Sequence, residues 1–88
     1  MHTVYVIRSK VTGTLYTGQT GDFQRRFEQH QKGVAHYTRN RGPWEILLTE
    51  EYATLKEAMR RERFLKTGHG REWLKQEAEF IKRPSKDN

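Results

Sequence analysis

The stretch LYTGQTGDFQRRFEQH, residues 15–30, changes its hydrophobic period in the middle. Leu15-Tyr16-Thr17 reads as strand, glycines at 18 and 21 interrupt it, and the segment from Phe23 to His30 then repeats at helical spacing. Asp22 is placed to cap that helix, and Gly33 to end it about three turns later. Upstream, residues 3–9 (TVYVIRS) are rich in β-branched and aromatic side chains, and Thr12-Gly13 offers turn chemistry, so the chain opens as a β-hairpin. A loop centred on Thr12-Gly13 pairs Val11 with Thr14 and projects Tyr5 and Tyr16 from the same face.

Working downstream, residues 34–43 carry no period and hold Asn40, Gly42 and Pro43, which predicts a connecting loop. Residues 44–50 (WEILLTE) read as a third strand. Thr54-Leu55-Lys56-Glu57 fits a capping box that opens a helix to about residue 67, closed by Gly68. A last helix over 71–82 precedes a polar tail, residues 83–88. The predicted order is β-β-α-β-α-α: a small α/β domain of the α+β kind, its three-stranded, largely antiparallel sheet flanked by three helices. A chain of 88 residues buries one modest core, so 1–82 is expected to be a single domain whose site shares residues with that core. Trp44, Leu47, Trp73 and Phe80 are expected to pack there.

Seventeen Lys and Arg against 11 Asp and Glu give a formal charge of +6, spread along the whole sequence. A polyanionic partner, nucleic acid first, fits that balance, although a large net charge also serves solubility. With no cysteine, disulfides, thiolate metal sites and cysteine nucleophiles are excluded. No apolar run approaches the roughly 20 residues needed to cross a bilayer, and the N-terminus lacks a signal-peptide core, which predicts a cytoplasmic protein without a membrane partner.

On a wheel of about 100° per residue, Phe27, His30 and Arg26 cluster within about 60° of Phe23, whereas Arg25 points to solvent. Arg26 and His30 therefore stack on the edge of the buried stripe. Taken singly, Arg26 is a snorkelling stem and His30 a cation at the helix end. In the second helix Leu55, Ala58, Met59 and Leu65 define an apolar face, Arg60 and Arg61 point away, and Glu62 falls inside it. A carboxylate there requires a partner: Lys66, Arg26 or a metal ion.

Two tyrosines on one face, an arginine and histidine one turn apart and a half-buried glutamate are suited to phosphodiester hydrolysis. A guanidinium binds phosphate and stabilises charge in the transition state; a carboxylate holds a hard, oxygen-loving ion such as Mg²⁺; tyrosine activates water if a neighbour assists it.

VYVI around Tyr5, LYTG with Tyr16 and Gly18, FQRRFEQH with Arg26 and His30, and AMRRE ending in Glu62 together resemble a GIY-YIG nuclease domain. HYTRNRGPW, residues 36–44, resembles its short stand-alone members in particular. The resemblance implies a metal-dependent endonuclease, using Mg²⁺ or Mn²⁺, that cuts DNA with an activated water, with a place in DNA repair or recombination. It implies that one of Tyr5 and Tyr16 helps to activate water, Tyr5 being favoured, that Arg26 contacts the scissile phosphate, that His30 supports proton transfer and that Glu62 binds the metal. Gly18, Gln19, Tyr37, Arg39, Arg41 and Lys66 are the expected nucleic-acid contacts. Branched, nicked or single-stranded DNA, and a protein partner or homodimer, are compatible with so small a domain. The chain departs from the pattern in lacking the first glycine before Tyr5, in carrying Gln19 where some members have lysine, and in lacking the usual C-terminal asparagine. The +6 charge and the missing asparagine leave a second reading, a basic nucleic-acid-binding module with weak or lost catalysis, and the basic surface a third, an adaptor for an acidic protein.

Overall fold

The structure is a computed structural model that describes residues 1–33 and 41–82. Three strands, β1 (His2–Ser9), β2 (Leu15–Thr20) and β3 (Trp44–Tyr52), form an antiparallel sheet in the order β2-β1-β3. Helix α1 (Phe23–Gln31) follows β2, and α2 (Leu55–Leu65) and α3 (Gly68–Lys82) follow β3, giving the expected β-β-α-β-α-α order.

Strand β1 is central and apolar on both sides, and the pleat sends its residues alternately into two cores. Val4 and Val6 meet Leu47, Ala58, Leu65 and Leu74 beneath α2 and α3, while Tyr5 and Ile7 meet Trp44, Tyr16, Phe23 and Phe27 beneath α1. The run Ile46-Leu47-Leu48 breaks alternation because a bulge opposite Val6 and Ile7 turns two consecutive leucines toward the α2–α3 core.

The hairpin pairs Ile7 with Tyr16 and Tyr5 with Gly18, a register two residues away from the one centred on Thr12-Gly13. Ser9 N–H bonds to Thr14 and Gly13 N–H to Ser9, both at 2.9 Å, so four residues rather than two make the loop, and Gly13 supplies its left-handed step at φ 80°. A slip of two preserves the face, and the two tyrosines remain together.

Asp22 caps α1 as expected, accepting from Arg25 N–H at 3.2 Å, and Gly33 follows the helix at φ 73°. Thr54 caps α2 by accepting from Glu57 N–H at 3.2 Å. Gly68 is not a stop. Thr67 Oγ1 accepts from Gly70 N–H at 3.1 Å and opens α3 three residues before the expected start. Gly70 lies so close to the end of α2 that a Cβ there would meet the Phe64 carbonyl and stand 2.6 Å from Leu65 Cα.

Helix α2 is rotated from its expected setting. Ala58 and Leu65 are buried, Leu55 and Met59 are 45% and 43% exposed, and the stripe therefore centres on Ala58 and Leu65. Arg61 and Glu62 lie about 50° to either side of that centre, on opposite flanks. Arg61 points not to solvent but to β3, where it meets Glu50 in a two-pronged pair of 2.9 and 3.1 Å and covers the Phe64 and Trp73 rings. Glu62 faces the opposite flank. Trp44 and Leu47 are buried and Trp73 half-buried, as expected; the side chain of Phe80 lies outside the described residues.

Candidate active site

The strand pleat and the α1 wheel bring four of the five expected catalytic residues together on the α1 side of the sheet. Tyr5 and His30 are each 1% exposed, and the Tyr5 hydroxyl lies 2.9 Å from His30 Nε2. The Tyr16 ring packs 4.9 Å from the His30 ring and 6.2 Å from that of Tyr5, and Phe23 closes on Tyr5 at 5.3 Å. The half-buried Arg26 guanidinium stands beside both phenol groups and is steadied by Gln29, whose Oε1 accepts from Nη1 at 3.0 Å.

Electrostatics follow from this packing. Burial pushes the Tyr5 phenol up to about 12, against the pull of Arg26, with smaller upward contributions from Tyr16 and Glu62. Burial and the neighbouring Arg26 charge lower His30 to about 4, so at neutral pH it is an uncharged imidazole rather than the expected helix-end cation. Arg26 is driven further toward its charged form by Tyr5.

Glu62 comes from the layer on the other face, and its carboxylate is near enough to act on Tyr5. Its side chain is 22% exposed, and of the partners the sequence allowed it takes Lys66, at 2.8 Å. Among the described residues no three His, Asp or Glu side chains gather. A single carboxylate oxygen at the edge of a phenol and guanidinium cluster fits Mg²⁺ or Mn²⁺, which keep several waters and take remaining oxygens from substrate phosphate. Glu62 would be the residue to hold such an ion, in place of its pairing with Lys66.

Gly18 is buried under Tyr5. A Cβ there would lie 2.7 Å from the Tyr5 oxygen and 3.2 Å from the Tyr16 ring, so the glycine makes room for the phenol cluster. Gln19 is half-buried and pairs with Val4, hence on the α2–α3 side, away from the tyrosines. The Arg41 carbonyl, three residues ahead of β3, accepts from Ser9 Oγ at 2.7 Å. Tyr37 and Arg39 lie outside the described residues, as does the 83–88 tail.

The sequence reading did not assign Gln29 or Phe23 to the site. The first was legible as a side chain three positions from Arg26 on the same helix face, the second as the residue that opens the buried stripe.

The model of the GIY-YIG catalytic domain matches residues 1–82. The chain belongs to that family. It is 51% identical over 63 residues to a UPF0213 protein of Halobacterium salinarum, spanning 70% of this chain and 80% of the relative. A UPF0213 protein of Oceanobacillus iheyensis is 40% identical over 62 residues, 69% of this chain and 71% of its own. The solution NMR structure of a UPF0213 protein from Bacillus halodurans superposes with a TM-score of 0.53 at 38% identity, covering 85% of this chain and 82% of that one. Membership of this nuclease family implies a nucleic-acid substrate. No described helix is long and apolar enough to cross a membrane.

Proposed function

We propose that this GIY-YIG domain is a metal-dependent DNA endonuclease that hydrolyses phosphodiester bonds with an activated water, acting in the cytoplasm in DNA repair or recombination. The observation that carries the reading is the Tyr5–His30 contact at 2.9 Å inside a cluster that also holds Tyr16 and Arg26 and feels the Glu62 charge.

Arg26, held by Gln29, offers its guanidinium to the scissile phosphate and to the charge that grows on it. Neutral His30 Nε2 accepts the Tyr5 hydroxyl proton. Tyr5 would take a proton from the attacking water while passing its own to His30; burial opposes a lasting charge on either ring, and Arg26 opposes one on His30, so the proton must pass on to the leaving oxygen as the phosphodiester bond breaks. Tyr16, half-buried and beside Arg26, orients the water and phosphate. A divalent ion on Glu62 would supply Lewis-acid stabilisation of the phosphoryl oxygens or leaving group. Lys66 must release Glu62 for that ion and is then free to meet a DNA phosphate.

The testing experiment is cleavage of plasmid, single-stranded, flap and junction DNA with Mg²⁺, Mn²⁺ or EDTA, comparing wild type with Glu62→Gln and Arg26→Ala. Cutting by wild type alone, abolished by EDTA, is the expected result. Cutting that survives EDTA and both substitutions would overturn the reading.

The Lys66 ammonium on Glu62 also favours a second reading, a nucleic-acid-binding module with weak or lost catalysis. It predicts no cutting by folded protein, with affinity that falls steeply between low and physiological salt as phosphate contacts release counterions.

A further inference from the structure

A cavity of about 260 Å³ opens beside Tyr16, between β2, the end of α2 and the start of α3. Its walls are Leu15, Thr17, Leu65 and Leu74, of which Leu65 and Leu74 are fully buried, while the exposed Lys66 and Arg71 stand on its solvent side. The complement of this arrangement is a ligand with an uncharged, partly apolar body and an anionic group attached to it. Leu15, Thr17, Leu65 and Leu74 place the cavity on the α2–α3 side of the sheet, across β2 from the Tyr16 ring, and its link to the candidate site is Lys66, which lines it and pairs with Glu62. Lys66 reaches Glu62 at 2.8 Å and also lines the cavity, while Arg71 Nε donates to the Lys66 carbonyl at 3.4 Å, which holds two cations together at the rim. Because β2 is an outer strand, backbone donors and acceptors on its open side face away from β1 and are available to a heterocycle's polar edge.

We propose that this cavity is a subsite for an unstacked nucleobase of the strand being cut, with the adjoining phosphate held by Lys66 and Arg71; it rests on the endonuclease reading above. A paired base stays in its stack unless a few kcal/mol are spent to extrude it, so the subsite selects DNA with an unpaired nucleotide beside the scissile phosphate.

The test uses the full chain carrying Glu62→Gln, ¹³C-labelled at leucine methyls, titrated with oligothymidylate and with the same oligonucleotide carrying one abasic position moved along it. The Leu15, Leu65 and Leu74 methyl signals are expected to shift, and one abasic position to weaken binding about tenfold, the size of a lost base stack. Leu15→Trp, which fills the cavity from its half-buried rim, is expected to lose the same tenfold and to show no further abasic penalty. Arg71→Ala, an exposed change that leaves the core intact, should weaken binding several-fold and reduce the salt slope by about one. Binding that leaves the three methyls unmoved, or equal affinity for every abasic oligonucleotide, would overturn the subsite. Wild-type cutting with no abasic penalty overturns the subsite alone. Methyl shifts and an abasic penalty without metal-dependent cutting by wild type support the subsite and overturn the endonuclease reading instead.

Discussion

The Tyr5 hydroxyl and His30 Nε2 meet at 2.9 Å in a site where each residue is 1% exposed. Burial of His30 at this contact, with the Arg26 charge beside it, couples folding to pH. His30 ordinarily titrates at 6.5 and is lowered to about 4 here, so between those values the unfolded chain holds a proton that the folded chain excludes. Stability is therefore fully present above pH 6.5 and is lost as pH falls toward 4, by about 3 kcal/mol at most. Urea midpoints of wild type should fall between pH 7.5 and 4.5 more than those of His30→Gln, which keeps a polar partner but cannot titrate. Equal falls in the two proteins would count against a neutral buried His30.

His30→Ala removes the partner and leaves the Tyr5 hydroxyl buried, a loss of about 1–3 kcal/mol in addition to the cavity created. If His30 accepts the Tyr5 proton, cutting by the still-folded variant should drop about a hundredfold with little change in DNA affinity. Single-turnover cleavage beside a binding titration separates the two, and loss of affinity with unchanged turnover would remove His30 from the chemistry.

Gly18→Ala forces a methyl to within 2.7 Å of the Tyr5 oxygen unless the ring moves. Overpacking of this kind costs about 1–3 kcal/mol, and the ring that must move is the one bonded to His30. Denaturation and cleavage should both suffer, whereas Gly21→Ala, where a Cβ meets nothing within 4 Å, should leave both nearly intact.

Arg61 and Glu50 form a half-buried pair far from the phenol cluster, with Tyr52 donating to the same Glu50 at 2.9 Å. A double-mutant cycle of Arg61→Met and Glu50→Gln should give a coupling of about 1 kcal/mol in stability. Cleavage by folded single mutants should be unchanged. The exposed Lys66–Glu62 pair offers the contrast: Lys66→Ala should change stability by less than about 0.5 kcal/mol while freeing Glu62 for metal, read as tighter Mn²⁺ binding by relaxation enhancement.

The phenol cluster was legible because strand alternation survives a slip of two residues and because Phe23 and Phe27 fix which side of α1 is buried. The setting of α2 was not. Its apolar arc is broad, and one helix cannot disclose whether Leu55 and Met59 or Ala58 and Leu65 meet the sheet; the sheet decides by admitting the small Ala58 against Val4 and Val6. Arg61 was misplaced for the same reason, since its partner Glu50 lies 11 residues back on β3 and only the folded chain joins them. Thr67-Gly68 carries both a stop and a start, and the Thr67 cap that resolves it needs the turn already formed. Gly18 was open to reading, because a glycine inside a strand marks a close approach, here by the Tyr5 ring.

The Gln31 side chain takes both backbone groups of Trp44, accepting from its N–H at 2.8 Å and donating to its carbonyl at 3.1 Å, across a sequence separation of 13. The amide thus does for the end of β3 what a neighbouring strand would do, and it does so from the residue that follows His30. Both ends of the intervening segment are anchored by that clasp. The consequence is mechanical: a pull on the start of β3 is passed through one amide to the last turn of α1, so the strand and the helix that carries His30 shift as one piece.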